Sequence, residues 1–174
     1  MYQSGRIINN FALVINITIL IMSEFRGEYT NKLDDKGRLI FPSTLKTQAA
    51  PISGGKYIVK KNIFQKCLEI YPLEEWKQES EMVKSKLNMF NADHNKFWTD
   101  YNRNTAEIEP DEKTGRILIP KKLLELIGVQ KEVVFVGLGS TINLWAKDEY
   151  ETSPMEETEF ANLAQSILGQ MPSV

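Results

Sequence analysis

"LDDKGRLIFPSTL", Leu33 to Leu45, is the stretch on which the reading of this chain turns. Its centre, Asp34-Asp35-Lys36-Gly37-Arg38, has the chemistry of a tight reversal. An Asp can accept hydrogen bonds from its own backbone two residues on, and Gly37 can take positive φ. "RLIF" then reads as a short strand, and Pro42 stands where a helix can begin. One copy would be an ordinary hairpin turn with an exposed arginine. The stretch, however, occurs twice. "EKTGRILIPKKL", Glu112 to Leu123, lies over Asp34–Leu45 without a gap. Gly37 falls on Gly115, Arg38 on Arg116, Pro42 on Pro120 and Leu45 on Leu123, and Asp34 falls on Glu112.

A second block repeats in the same order. "LEIYPLEEW" (Leu68–Trp76) matches "INLWAKDEY" (Ile142–Tyr150), with a shorter connection between the blocks in the second half. Self-similarity over two ordered blocks marks a duplicated unit. Each half reads as strand, acid-to-glycine turn, strand, proline-started helix, two strands and helix. "GEYTNKL", "KYIVKK", "KCLEIY", "EVVFVG" and "TINLW" are the further strands expected, and "STLKTQAA" and "KKLLELIG" the short helices. Between the halves, "LEEWKQESEMVKSKLNMF" sets Leu73, Trp76, Met82, Val83, Leu87 and Phe90 at helical spacing. "NADHNKFWTDYNRNT" reads as a second helix capped by Asn91 or Asp93. "SPMEETEFANLAQSIL" reads as a last one, whose stripe of Met155, Phe160, Leu163 and Ile167 suits core or subunit contact.

The chain has 174 residues, enough for one domain or two halves sharing a core. Its net charge of −2 argues at first against nucleic acid, but the distribution reverses that. Residues 22–67 hold nine Lys/Arg against four Asp/Glu, and residues 113–147 hold six against two. Residues 68–112 hold five against eleven, and residues 148–174 hold six acids and no base. Basic and acidic segments thus alternate, and both repeated turns border or lie in basic ones. The single cysteine, Cys67, rules out an internal disulfide and suits a reducing compartment. With His94 the only histidine, a His-ligated metal cluster or a Ser-His-Asp site has little to work with. No cofactor, metal or small-molecule substrate is expected.

"IINNFALVINITILIM", Ile7 to Met22, is shorter and more polar than the roughly 20 apolar residues a spanning helix needs. It also lacks a small-residue cleavage site. Residues 1–21 are therefore expected to lie upstream of a true start at Met22, and membrane association is not expected.

"FRGEYTNKLDDKGRLIFP", "YPLEEW", "DEKTGRILIPKKLLELIGV" and "VVFVGLGSTINLW" together resemble the MraZ proteins of bacteria, from Phe25 to about Tyr150. The resemblance implies an α+β fold: two tandem AbrB-like, swapped-hairpin, β-rich repeats forming one pseudo-symmetric domain, with amphipathic helices after each. The units are expected at 22–104 and 105–174. It further implies a ring-forming transcriptional regulator of the cytoplasm and nucleoid. Such a protein acts at the promoter of a division and cell-wall gene cluster and reads short G-rich repeats in double-stranded DNA. The family's D-x-x-x-R hairpin falls on Asp34 and Arg38, and in the second half on Glu112 and Arg116, where Glu replaces Asp.

Elementary chemistry supports that reading. An arginine fork can pair bidentately with O6 and N7 of guanine in a major groove that accepts a two-stranded ribbon. The candidate DNA-contacting residues are Asp34, Lys36, Gly37 and Arg38, with Glu112, Lys113, Gly115 and Arg116. Asp34 and Glu112 could instead bridge to the arginines and hold them. Lys46, Lys121, Lys122 and Arg26 are candidates for phosphate contact. One arginine–guanine pair supplies roughly 1–3 kcal/mol of discrimination, whereas a specific site needs about 4–10 kcal/mol. Several subunits on tandem sites are therefore expected. An enzyme is the weaker reading. Ser43-x-x-Lys46 and Lys113-Thr114-Gly115 match elements of penicillin-binding sites, but the second simply occupies the repeated turn. An AbrB-like antitoxin, binding DNA and a partner toxin through its acidic tail, is the alternative.

Overall fold

The computed structural model describes residues 23–49 and 54–169; the expected N-terminal extension lies outside them. In chain order the elements are β1 (Glu28–Lys32), β2 (Arg38–Ile40), α1 (Ser43–Gln48), β3 (Tyr57–Lys61) and β4 (Cys67–Pro72). Then come α2 (Leu73–Ser85), α3 (Ala92–Tyr101), β5 (Thr105–Ile108), β6 (Arg116–Leu118) and α4 (Lys121–Leu126). β7 (Glu132–Leu138), β8 (Thr141–Ala146), α5 (Lys147–Thr152) and α6 (Glu157–Leu168) complete the chain. The expected mixed α+β class and the repeated element order are both present.

Six strands form one sheet in the order β1-β7-β8-β4-β3-β5, and β2 pairs with β6 in a separate antiparallel ribbon. The order is palindromic about the β8–β4 pair. β1 of the first half lies against β7 of the second, and β5, which opens the second half, lies against β3 of the first. The two sequence repeats thus exchange strands, and neither half owns a complete sheet.

The core follows the same symmetry. Leu39, Phe41 and Leu45 are buried in the first half, and Ile117, Ile119 and Leu123 take the matching places in the second. They close over Tyr57, Val59, Leu68, Ile70, Phe135, Ile142 and Leu144 of the large sheet. Cys67 is buried, and burial pushes its thiol up to about 12, so it serves packing rather than nucleophilic chemistry.

Two helical expectations differ from the structure. α2 stops at Ser85, leaving Phe90 fully exposed. The asparagines that follow bond locally instead: Phe90 N donates to Asn88 Oδ1, and Asn91 Oδ1 accepts from Asp93 N and His94 N to cap α3. The tail helix begins at Glu157 and buries no residue, so its stripe contributes nothing to this chain's core. α3, by contrast, is firmly docked. Tyr101 stacks on Trp76 of α2 at 5.9 Å, and the buried Lys60 ammonium lies 4.1 Å from the Tyr101 ring centre. The same ammonium pairs with Glu69 at 3.2 Å. No helix among the described residues is long and apolar enough to cross a membrane.

Candidate nucleic-acid interface

Side chains alternate across a strand, so the burial of Leu39 and Ile117 decides where their neighbours go. Arg38 and Ile40, and likewise Arg116 and Leu118, are turned away from the core. In the ribbon Arg38 lies opposite Leu118 and Ile40 opposite Arg116. The outward face is therefore a small checkerboard of two arginines and two exposed aliphatic residues. Phe41 N donates to Gly115 O at 2.8 Å, tying the end of β2 to the second turn.

The first turn is built around Asp34. Asp34 N donates to Arg38 O and Gly37 N donates to Asp34 O, each at 2.9 Å. Asp34 Oδ1 accepts from Lys36 N and Arg38 N, also at 2.9 Å. Gly37 takes φ +74°, where an L side chain is disfavoured. These bonds confirm the Asx-type cap expected of Asp34.

The second turn corrects the gap-free alignment. Asp111, not Glu112, holds Asp34's place. Asp111 N donates to Arg116 O at 2.9 Å, and Gly115 N donates to Asp111 O at 2.8 Å. Asp111 Oδ1 accepts from Lys113 N, Thr114 N and the Thr114 hydroxyl. Glu112 therefore corresponds to Asp35, and Thr114 is one extra residue in the turn. The physical reason is reach: the Asp carboxylate meets the amides two and three residues on, and Glu makes this bond less readily. Gly115, at φ +64°, closes the turn as Gly37 does.

The structure brings both arginines to one carboxylate. Arg38 Nε donates to Asp34 Oδ2 at 2.9 Å, and Arg38 Nη2 lies 2.8 Å from the same oxygen. Arg116 Nε lies 3.6 Å from it. The Arg38 backbone amide, then its guanidinium, hold the Asp34 carboxyl down at about 2. Asp111 is also held below the usual carboxylate range, chiefly by the Thr114 hydroxyl and amide.

The lysines are distributed around this head. Lys36 and Lys121 line a cleft of about 390 Å3 beside the first turn, together with Leu33, Leu118, Leu124 and Val129. Lys46, Lys113 and Lys122 are exposed. Arg26 is paired with Glu24 and remains largely exposed. Among the described residues no cluster of three or more His, Cys, Asp or Glu could hold a metal ion. Asp111, Thr114, Ile40 and Leu118 were not among the interface residues expected from the sequence, Thr114 being named there only within Lys113-Thr114-Gly115. The signal available for the first two was an Asp directly before the aligned Glu; the exposure of the other two needed the pairing register.

The chain matches the family described as "MraZ protein, putative antitoxin-like" twice, over residues 25–99 and 102–169. It is 38% identical over 144 residues to a protein of Christiangramia forsetii named transcriptional regulator MraZ, covering 82% of this chain and 92% of that one. The namesake in Flavobacterium psychrophilum is 36% identical over 151 residues, covering 86% and 95%. That in Bacteroides fragilis is 35% identical over 147 residues, covering 84% and 92%. Two repeats, each ending its turn in Gly-Arg and together spanning the length of these relatives, place this chain in the MraZ family.

Proposed function

We propose that this protein is a sequence-specific DNA-binding transcriptional regulator with no catalytic role. It acts in the cytoplasm on nucleoid DNA, at the promoter of its own division and cell-wall gene cluster. The observation that carries the reading is the pair of outward arginines on one two-stranded ribbon, both within ion-pair distance of Asp34. Arg38 gives its Nε edge to the carboxylate, which leaves the end of the fork for guanine O6 and N7. The names of the relatives support the same reading.

Two arginines, at roughly 1–3 kcal/mol each, reach only the lower part of the about 4–10 kcal/mol that a specific site uses. Several copies, arranged in a ring over tandem G-rich repeats, would supply the remainder through linked binding. The exposed stripe on α6, with Phe160 65% and Ile167 56% accessible, offers a surface for such assembly.

The test is a gel shift on the DNA upstream of the protein's own gene. Arg38→Ala and Arg116→Ala are each expected to weaken specific binding by roughly 1–3 kcal/mol, Arg38→Ala at least as severely. Wild-type binding by both variants would refute the assignment.

A further inference from the structure

The two halves are equivalent in sequence order but not in how they treat their arginines. Asp34 divides its two oxygens: Oδ1 accepts the Lys36 and Arg38 amides of its own turn, while Oδ2 faces outward to the guanidinium groups. Those groups come from both repeats, Arg38 at 2.8 Å and Arg116 at 3.6 Å. Asp111 makes no matching gesture. Its Oδ1 is taken up by Lys113, Thr114 and the Thr114 hydroxyl, and Arg116 acts on it only as a nearby charge.

We infer that Asp34 is a positioning residue for both arginines, so that the two turns form one reading head with a single anchor in the first repeat. The inference rests on the DNA-reading proposal above. Its physical basis is that a free arginine must lose rotamer freedom on binding, and a braced fork has already lost it. The carboxylate is also a negative charge set among basic groups, where it opposes attraction to phosphate. Positioning and electrostatics therefore pull in opposite directions, and one substitution separates them.

Asp34→Asn keeps an oxygen for the turn amides and removes the acceptor for the guanidinium groups. Measured on the upstream DNA, its specific affinity is expected to fall about tenfold, within the range of one arginine–guanine pair. On an unrelated duplex its affinity is expected to stay level or rise, because a like charge to phosphate has gone. A merely structural role would lower both together, and that result overturns the inference. Asp34→Asn and Arg116→Ala are expected to be non-additive, whereas Asp111→Asn and Arg38→Ala are expected to add. Additivity in the first pair overturns the inference. A readout without DNA separates it from the parent proposal. The Nε resonance of Arg116 is expected to move in Asp34→Asn protein, and an unmoved resonance overturns the brace. If instead the resonance moves but the double variant Arg38→Ala/Arg116→Ala binds the upstream DNA like wild type, DNA reading by the ribbon fails while the brace stands.

Discussion

At the scale of single residues, Asp34 and its surroundings set the pH behaviour of the ribbon. Its carboxyl titrates at about 2 in the fold, against an ordinary value of 3.8. A depressed acid contributes stability above its unfolded value, and that contribution is lost as pH falls toward the folded one. From pH 5 to 8 this group is charged in both states, so the brace is expected to be pH-independent there. Between pH 4 and 2 wild type is expected to lose more unfolding free energy than Asp34→Asn, as denaturant titrations at stepped pH would record. The first turn was legible in sequence because Asp, Gly and Arg each carry one clear physical preference. The second was legible only in part. Glu112 keeps the charge, but capping depends on side-chain length, and Asp111 became visible as the cap only with the hydrogen bonds drawn.

At the scale of elements, helix and strand identities were readable from periodicity, whereas helix ends were decided by side chains competing for backbone. α2 ends where Asn88 and Asn91 offer alternative bonds, although its apolar spacing runs on through Phe90. The fastening of α2 and α3 to the sheet was not readable in full, since beside the Tyr71–Trp76 ring contact it uses a lysine. Lys60 sits in a strand whose other buried residues, Tyr57 and Val59, are ordinary core, yet its ammonium meets Glu69, Trp76 and Tyr101. Lys60 is buried and Glu69 nearly so, and removing the lysine leaves Glu69 with the neutral Asn62 amide but without its cation. Lys60→Ala is therefore expected to cost about 3 kcal/mol, measured by denaturant unfolding, with tryptophan fluorescence reporting loosening around Trp76.

At the scale of the whole molecule, the palindromic sheet and the proposed assembly make separate demands. α6 contributes nothing to the core, so Phe160→Glu with Leu163→Glu is expected to leave the protomer's unfolding midpoint unchanged. If the stripe joins copies, the same variant is expected to lower the mass seen by light scattering and to weaken binding to tandem sites. Unchanged mass would assign assembly to another surface. The duplication told the sequence reader that two like units exist; which strand lies beside which is a long-range matter that local pattern does not encode. That exchange has a consequence for how the protein is made. β1 leaves the ribosome early, and its neighbour β7 follows more than 100 residues later, as Tyr29 and Phe135 of the register mark. At ordinary translation speeds of about 5–20 residues per second, the wait is on the order of ten seconds. Through it β1 is an unpaired strand on a nascent chain, and Glu28 and Lys32 at its two ends are charged residues of the kind that discourages pairing with another strand.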